Sequence, residues 1–423
     1  MNSSLDRLGQ KLASLLGADS VRCGPDSVTD SGSQLACAPE TVEEVAAALR
    51  ICAEAKAAIT PLGGGTGRNV GNVVADACVA IDLRRLKRVV EHDHANLTAT
   101  AQTGITVSDL NVTLAAQHQF LPFDPPQPRR ATLGGTIALN MNGPRRGFYG
   151  AIRDLVIGMK VVLATGERIK AGGKVVKNVA GYDLCKLFTG SLGTLGIITE
   201  ATVRVAPRPE AAATIVVSGI FAPVMEFVDQ LFQSQLLPSA VVLMNSNFQK
   251  PGGNWQVAAW CEGLSEHVTR HLRDCEIIAQ PLGLDTEILR DHTHSTLWDA
   301  VCDLPLESES CVYRVTLPRS AVAAYLAELR GIGEPPQVIS DLTAGTLWLS
   351  WPANDDLARV FPELIALAHE QRGHVVLFAA PSGLKEGVDV WGPPPASHSL
   401  MRKIKQQFDP DRLLNPGRYI GRI

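Results

Sequence analysis

The spacing of apolar residues changes period several times along the chain, and each change marks an element. Residues 33–62 alternate, then recur at helical spacing, then alternate again, which predicts strand, helix and strand. The helix opens on Thr41-Val-Glu-Glu44, a capping box in which threonine and glutamate each satisfy an amide at the helix start. It continues through VAAALRICAEAKAA, and the strand after it runs straight into PLGGGTGRNVG, residues 61–71. ACVAIDL (77–83) and the alternating RVVEHDHANLTATAQTG predict strands, and TVSDLNVTLAAQ predicts a short helix. PFDPPQPRR is proline-rich and irregular, whereas LVIGMKVVLATGERIKAG (155–172) predicts a hairpin turning at Thr165-Gly166.

Composition shifts at APRPEAAAT (206–214), where a boundary is expected. Beyond it the pattern predicts strand (214–219), helix (223–235), strands (239–245 and 255–262) and helix (264–277). After a stretch read as irregular, with His292 and His294 in a loop, a similar order returns. It runs strand (311–317), helix (319–330), a strand pair up to Trp351, helix (355–372) and a strand (374–379) that His374 begins. Two such strand-helix-strand-strand runs predict an antiparallel sheet backed by helices, a cap on the first half. The tail, SHSLMRKIKQQFDPDRLLNPGRYIGRI, predicts one basic helix and a turn-rich end.

Of 423 residues, 45% are hydrophobic and 19% charged, the balance of a globular protein able to bury large cores. A net charge of −4 supplies no basic field to recruit nucleic acid or anionic lipid. No apolar run reaches the roughly 18 residues of a membrane-spanning helix. The amphipathic start, MNSSLDRLGQKLASLLGADS, lacks a signal-peptide core. A cytoplasmic protein is expected, with room for peripheral attachment at the inner face of the cell membrane. The nine cysteines, at 23, 37, 52, 78, 185, 261, 275, 302 and 311, have neither zinc nor iron–sulfur spacing and read as buried thiols.

Five glycines in the eleven residues 61–71 cannot build a core. A glycine-rich loop after a strand points to a phosphate, because amides turned inward at positive φ form a nest for an anion. The alternative is a plain turn. A dinucleotide fingerprint would need G-x-G-x-x-G followed by a helix, and a Walker A loop would need a lysine; neither is present. Two further small-residue segments follow: ATLGGTIALNMNGPRRGFYGAIRDLVIGMKVVLATGE (131–167) and KNVAGYDLCKLFTGSLGTLGIITEATVRV (177–205). Together the three suggest one long ligand lying across several backbones.

In this order and spacing, the three segments resemble the FAD-binding domain of the vanillyl-alcohol oxidase / p-cresol methylhydroxylase family over roughly residues 20–207. FDPDRLLNPGR (408–418) resembles the family's C-terminal return to the flavin. KNVAGYDL followed by GSLGTLG is most similar to the FAD-binding E subunits of bacterial three-subunit glycolate oxidases (dehydrogenases). The resemblance implies an α+β fold: a two-subdomain FAD-binding domain of the vanillyl-alcohol oxidase type (1–207; loops 61–71, 131–154 and 177–200), an antiparallel-sheet-plus-helices cap for substrate or partner (208–394), and a C-terminal return (395–423).

Carried over by position, it implies that Pro61 and Gly63, Gly64, Gly65, Thr66, Gly67, Arg68 and Asn69 wrap the FAD pyrophosphate. Thr132, Gly134, Gly135 and Asn140 would line its other side. Tyr149-Gly150 matches an aromatic-glycine step, and Arg153-Asp154 an ion pair that reads equally as a structural clamp. Gly193, Gly196, Ile197 and Ile198 would meet the adenosine half, and Asn415 the isoalloxazine. Thr66 stands where covalent members carry a histidine, which implies non-covalent FAD. Tyr182 is expected in the core; Lys174 and Lys177 would neutralise flavin or substrate charge, or simply be solvated. A side chain at Gly65 is expected to expel the flavin, whereas Gly345, in a cap turn, is expected to accept one.

The catalytic base is not legible. Arg314, on a cap strand, is the one candidate for a substrate carboxylate, against an ordinary cross-strand ion pair. His267 and His271 share a helix face, but strongly polar neighbours favour a solvated face over a metal. The metal-binding histidine pair of related 2-hydroxyacid dehydrogenases has no match, so no metal is expected. The resemblance then implies an FAD-dependent oxidoreductase acting on CH–OH groups. It would be one subunit of a glycolate (2-hydroxyacid) dehydrogenase complex, with a sister FAD-containing catalytic subunit and an iron–sulfur subunit as partners. The alternatives are a self-sufficient FAD-dependent 2-hydroxyacid dehydrogenase or oxidase, and an inert flavin-fold scaffold.

Overall fold

The computed structural model describes residues 2–423 apart from 24–33, 75–78, 174–181, 246–253, 307–309, 333–334 and 354–356. Lys174 and Lys177 lie outside the described residues. The chain separates into two compact units, one of Met1–Met141, Ala151–Pro207 and Lys385–Ile423, the other of Asn142–Gly150 and Arg208–Leu384. The short segment Asn142–Gly150 and the stretch from Lys385 to residue 394 therefore fall on the opposite side of the division from where the sequence pattern puts them.

Among the described residues the first unit holds two larger sheets and a two-stranded pairing of Gln119–Phe120 with Ala206–Pro207. In one, the strands run in the order Val21–Cys23, Leu35–Cys37, Val79–Asp82, Ile59–Leu62, with the last three parallel. Thr41 Oγ1 accepts from the Glu44 amide at 3.1 Å and Glu44 returns the bond, so the capping box sets the start of helix Val42–Glu54. That helix buries Val45, Ala46, Ala48, Leu49 and Cys52, the apolar stripe its sequence period dictates. The other sheet is an antiparallel set in the order Val89–Asp93, Thr98–Gln102, Ile197–Arg204, Val156–Val162, Arg168–Gly172. Its last two strands are the hairpin, with Gly166 at φ 78° in the turn.

The C-terminal segment returns to the edge of the first sheet. Ile59 donates to Leu413 O at 2.7 Å and Asn415 donates back to Ile59 O at 2.8 Å. A buried ion pair sets this return. Lys405 Nζ lies 2.6 Å from Asp409, with the two side chains 3% and 0% exposed. The ammonium also donates to Thr194 O and Leu414 O at 2.8 and 2.9 Å, while Asp409 accepts the amides of Leu413 and Leu414. Burial pushes the Lys405 ammonium down, against the pull of Asp409.

The second unit is built on one antiparallel eight-stranded sheet, in the order Asp285–Leu289, Ala211–Gly219, Trp255–Gly263, Ala240–Asn245, Gln337–Asp341, Thr346–Pro352, Ser310–Thr316, His374–Ala379. Three sequence expectations need correction. The stretch read as irregular contains the edge strand Asp285–Leu289 and the helix Asp291–Asp303, so His292 and His294 are helical. His294, Trp298 and Val301 form its buried stripe, which only three residues define and which polar neighbours obscure. Gly345 is no tolerant site, since it sits at φ +62° and an ideal Cβ would lie 2.0 Å from Leu317 O. Tyr182 is 96% exposed; Asp183 caps helix Leu184–Phe188, and Cys185 and Phe188 fill the core in its place.

Asp341 is 6% exposed and accepts from the Thr343 amide, the Thr343 hydroxyl and the Ala344 amide. Burial nevertheless pushes its carboxyl up to about 6. A folded pKa above the unfolded one contributes stability that is present at low pH and lost as pH rises through about 6. Between pH 4.5 and 7, wild type should therefore lose ~2 kcal/mol relative to Asp341→Asn, read from urea midpoints at both pH values. Lys405→Met, which strands a buried carboxylate, should cost ~3–5 kcal/mol in the same measurement at pH 7.

Candidate functional site

The glycines of residues 61–71 do not primarily face empty space. An ideal Cβ on Gly64 would lie 1.6 Å from Arg130 O, one on Gly63 2.2 Å from Thr132 Oγ1, and one on Gly67 2.1 Å from Leu139 Cδ1. The first loop thus packs against the second too closely for a side chain, Gly64 meeting backbone and Gly63 and Gly67 meeting the Thr132 and Leu139 side chains. Gly65 differs: its neighbour is the flexible Arg68 side chain, and its φ of +75° is what demands glycine.

The second loop is ordered by a cap. Thr132 accepts from the Gly135 amide at the start of helix Leu133–Leu139, and Asn140 closes that helix in the left-handed region (φ 51°). The third loop joins it through Gly190 N to Ile137 O (3.0 Å) and Leu192 N to Ala138 O (2.9 Å). Gly193, at φ +69°, brings the third loop against Pro61 and Asn415, whose Nδ2 donates to Leu192 O at 2.6 Å. The first unit therefore brings together Pro61, the 63–69 loop, Thr132, Gly134, Gly135, Asn140, Gly193 and Asn415.

Other predicted residues lie elsewhere. An ideal Cβ on Gly196 would lie 2.5 Å from Val161 Cγ1, and Ile197 and Ile198 are buried in a sheet strand, where Ile198 O accepts from Thr103. Asp154 lies 3.9 Å from Lys186 Nζ. Tyr149 and Gly150 belong to the second unit, where the tyrosine hydroxyl donates to Glu262 at 2.8 Å. Glu262 also pairs with Arg145 at 3.1 Å, and that guanidinium stacks 4.3 Å from the Trp260 ring centroid. Arg314 lies over Phe378, 5.4 Å from the centroid. On helix Ser265–Ala279, burial pushes the His271 imidazole down; among the described residues no group of three His, Cys, Asp or Glu is placed to hold a metal.

Sequence reasoning missed two cations. Arg418 Nη2 donates to Gly67 O (2.7 Å) and Arg68 O (3.3 Å), and its Nε donates to Val70 O (3.0 Å). Lys385 donates to Asn69 O and Gly71 O. Both are buried. Arg418 sits in the quoted NPGR run, so its place was visible; Lys385, between the glycines of PSGLKEG, carried no such signal.

These loops suit an extended polar ligand with a diphosphate at its centre. Among the described residues the amides of Gly63, Gly64, Gly65, Thr66 and Gly67 donate no backbone hydrogen bond, although all five residues are half-buried. The hydroxyls of Thr60, Thr136 and Ser191 and Oδ1 of Asn415 are likewise buried without a partner; Thr60 immediately precedes the first loop and the other three belong to these segments. The donor set is neutral or cationic, as an anion requires. Loop fold and unsatisfied polar lining together suit an anionic ligand bound through backbone amides.

Comparison with known proteins makes this specific. The FAD binding domain family matches residues 33–172, and the C-terminal domain of FAD linked oxidases matches residues 394–419. Glycolate oxidase subunit GlcD of Bacillus subtilis is 30% identical over 91% of this chain and 88% of its own. Glycolate oxidase subunit GlcE of Escherichia coli is 30% identical over 81% and 87% respectively. Among solved structures, p-cresol methylhydroxylase superposes with a TM-score of 0.77 at 18% identity, covering 99% of this chain and 97% of its own. The chain belongs to the FAD-linked oxidoreductases with a p-cresol methylhydroxylase-type FAD-binding fold, and its cofactor is FAD.

Gly65→Val, forced from positive φ, should lower bound flavin per chain at least about tenfold, measured by absorbance near 450 nm after purification. Gly331→Ala, with nothing within 4 Å of the added carbon, should retain flavin at the wild-type level and replaces Gly345 as the control.

Proposed function

We propose that the chain is the FAD-carrying subunit of a glycolate (2-hydroxyacid) dehydrogenase complex, taking part in oxidation of glycolate to glyoxylate and in electron transfer to an iron–sulfur partner. One observation carries the reading: a flavin-loop set with unsatisfied donors occurs in a chain aligned nearly end to end with two glycolate oxidase subunits. Among the described residues no cysteine forms a disulfide, and burial pushes the thiols of Cys37, Cys185, Cys261 and Cys275 up, away from the thiolate that ligates metal. A cluster used by the pathway then belongs to another chain.

Bound FAD supplies two-electron acceptance from a C–H bond and onward release of electrons. The protein's part is to hold and orient it. In this reading the amides from Gly63 to Asn69 take the diphosphate, aided by Pro61. Thr132, Gly134, Gly135 and Asn140 hold the opposite side, Gly193 serves the adenosine half, and Asn415 offers its free Oδ1 to the ring system. Thr66 offers no nitrogen for a tether, so FAD is non-covalent. Arg314 stands as the candidate for a substrate carboxylate.

A second reading, a self-sufficient 2-hydroxyacid dehydrogenase, is favoured by the D-lactate dehydrogenase of Archaeoglobus fulgidus, 28% identical over 91% of both chains. The two separate on purified protein supplied with glycolate or D-lactate and a dye acceptor. The complex reading expects a yellow protein whose flavin is released by acid precipitation, and turnover that appears only when partner subunits are present. Turnover by the chain alone would install the second reading; flavin left in the acid pellet would overturn the non-covalent assignment.

A further inference from the structure

Arg418 is buried beneath the first glycine loop, and among the described residues no carboxylate pairs with it. Burying a guanidinium without a counter-charge is costly, and desolvation pushes it down to about 10. Its donors instead take carbonyls of the loop itself: Gly67, Arg68 and Val70. Lys385 takes those of Asn69 and Gly71. Five consecutive carbonyls, from residue 67 to residue 71, thus turn toward two buried cations. An extended strand would alternate them.

The geometry has a direct consequence. A trans peptide is planar with its C=O and N–H antiparallel, and no peptide bond among the described residues is cis. Fixing the carbonyls of Gly67, Arg68 and Val70 on one side sends the amides of Arg68, Asn69 and Gly71 to the other. The negative ends of the peptide dipoles are then neutralised by the cations, and the positive ends face away. We infer that Arg418 is a diphosphate-positioning residue, acting through the first loop: it orients the loop's amides and holds behind them a positive charge that only a bound anion balances.

This inference rests on the flavin reading of the loop, and its test separates the two. The apoprotein, made by removing FAD from wild type and from Arg418→Gln and Arg418→Lys, is titrated with FAD and with inorganic pyrophosphate as a competitor. Glutamine keeps amide donors without charge; lysine keeps charge with fewer directed donors. The expected result is that pyrophosphate competes on wild type. Arg418→Gln should bind both FAD and pyrophosphate at least about tenfold more weakly, while Arg418→Lys stays within about threefold. Melting of the flavin-free variants is followed in parallel.

If pyrophosphate fails to compete even on wild type, the loop is not the diphosphate site and the underlying reading falls. If it competes equally on wild type and Arg418→Gln, the loop stands and Arg418's role falls. Equal weakening in the glutamine and lysine variants, or loss of a cooperative melt in both, makes Arg418 a structural residue only and overturns the inference.

Discussion

Two buried cations hold the five carbonyls from Gly67 to Gly71, and the rest of the first unit is arranged to permit this. A guanidinium reaches such a place only if the chain that carries it is pinned nearby. Asn72 provides one pin, donating its amide to Arg418 O and its side chain to Asp389 and Tyr419 O. Trp391 provides another, its indole donating to Arg418 O at 3.0 Å. Upstream, the Lys405–Asp409 pair fixes where the returning chain meets Ile59 and Thr194. A buried ion pair of this kind adds little net stability relative to apolar packing; its value is geometric, because the groups around it have one satisfactory arrangement.

The same constraint explains why glycine is so dense here. Four segments far apart in sequence, around residues 64, 132, 192 and 415, approach within backbone distance of one another. Most of the glycines are therefore spaces for a neighbouring strand of chain. The anion site is a by-product of that assembly: with the loops packed edge to edge, the amides from Gly63 to Gly67 are left half-buried without a backbone acceptor.

This bears on what sequence reasoning could reach. Elements with strong local signals, such as the Thr41–Glu44 box and the hairpin at Thr165-Gly166, are written in adjacent residues and read directly. The glycine loops were legible as loops, but the atoms they meet were not, because Arg130 O and Thr132 Oγ1 are brought in by tertiary packing. Lys385 and Arg418 were invisible as a pair: cations on surface-like stretches predict solvent exposure, and only long-range packing buries them. The same holds for Gly345, whose necessity comes from Leu317 O, and for His294, whose helix shows too few apolar positions to declare its period.

The second unit carries the opposite lesson. Several of its buried polar groups are engaged with one another: Arg145 and Tyr149 with Glu262, His294 and Trp298 with Thr214, Asp341 with the Thr343–Ala344 turn. Burial and the neighbouring Arg145 push the His294 imidazole down, so at neutral pH it is an uncharged partner of Thr214. Groups satisfied in this way specify packing, and each would have to give up a bond to meet a substrate. The loops of the first unit leave a run of neighbouring amides without a backbone acceptor, whereas the unpartnered buried atoms of the second unit, Trp260 Nε1, His271 Nδ1 and Ser340 Oγ, belong to separate elements. That contrast fits a chain that grips its cofactor through its own backbone.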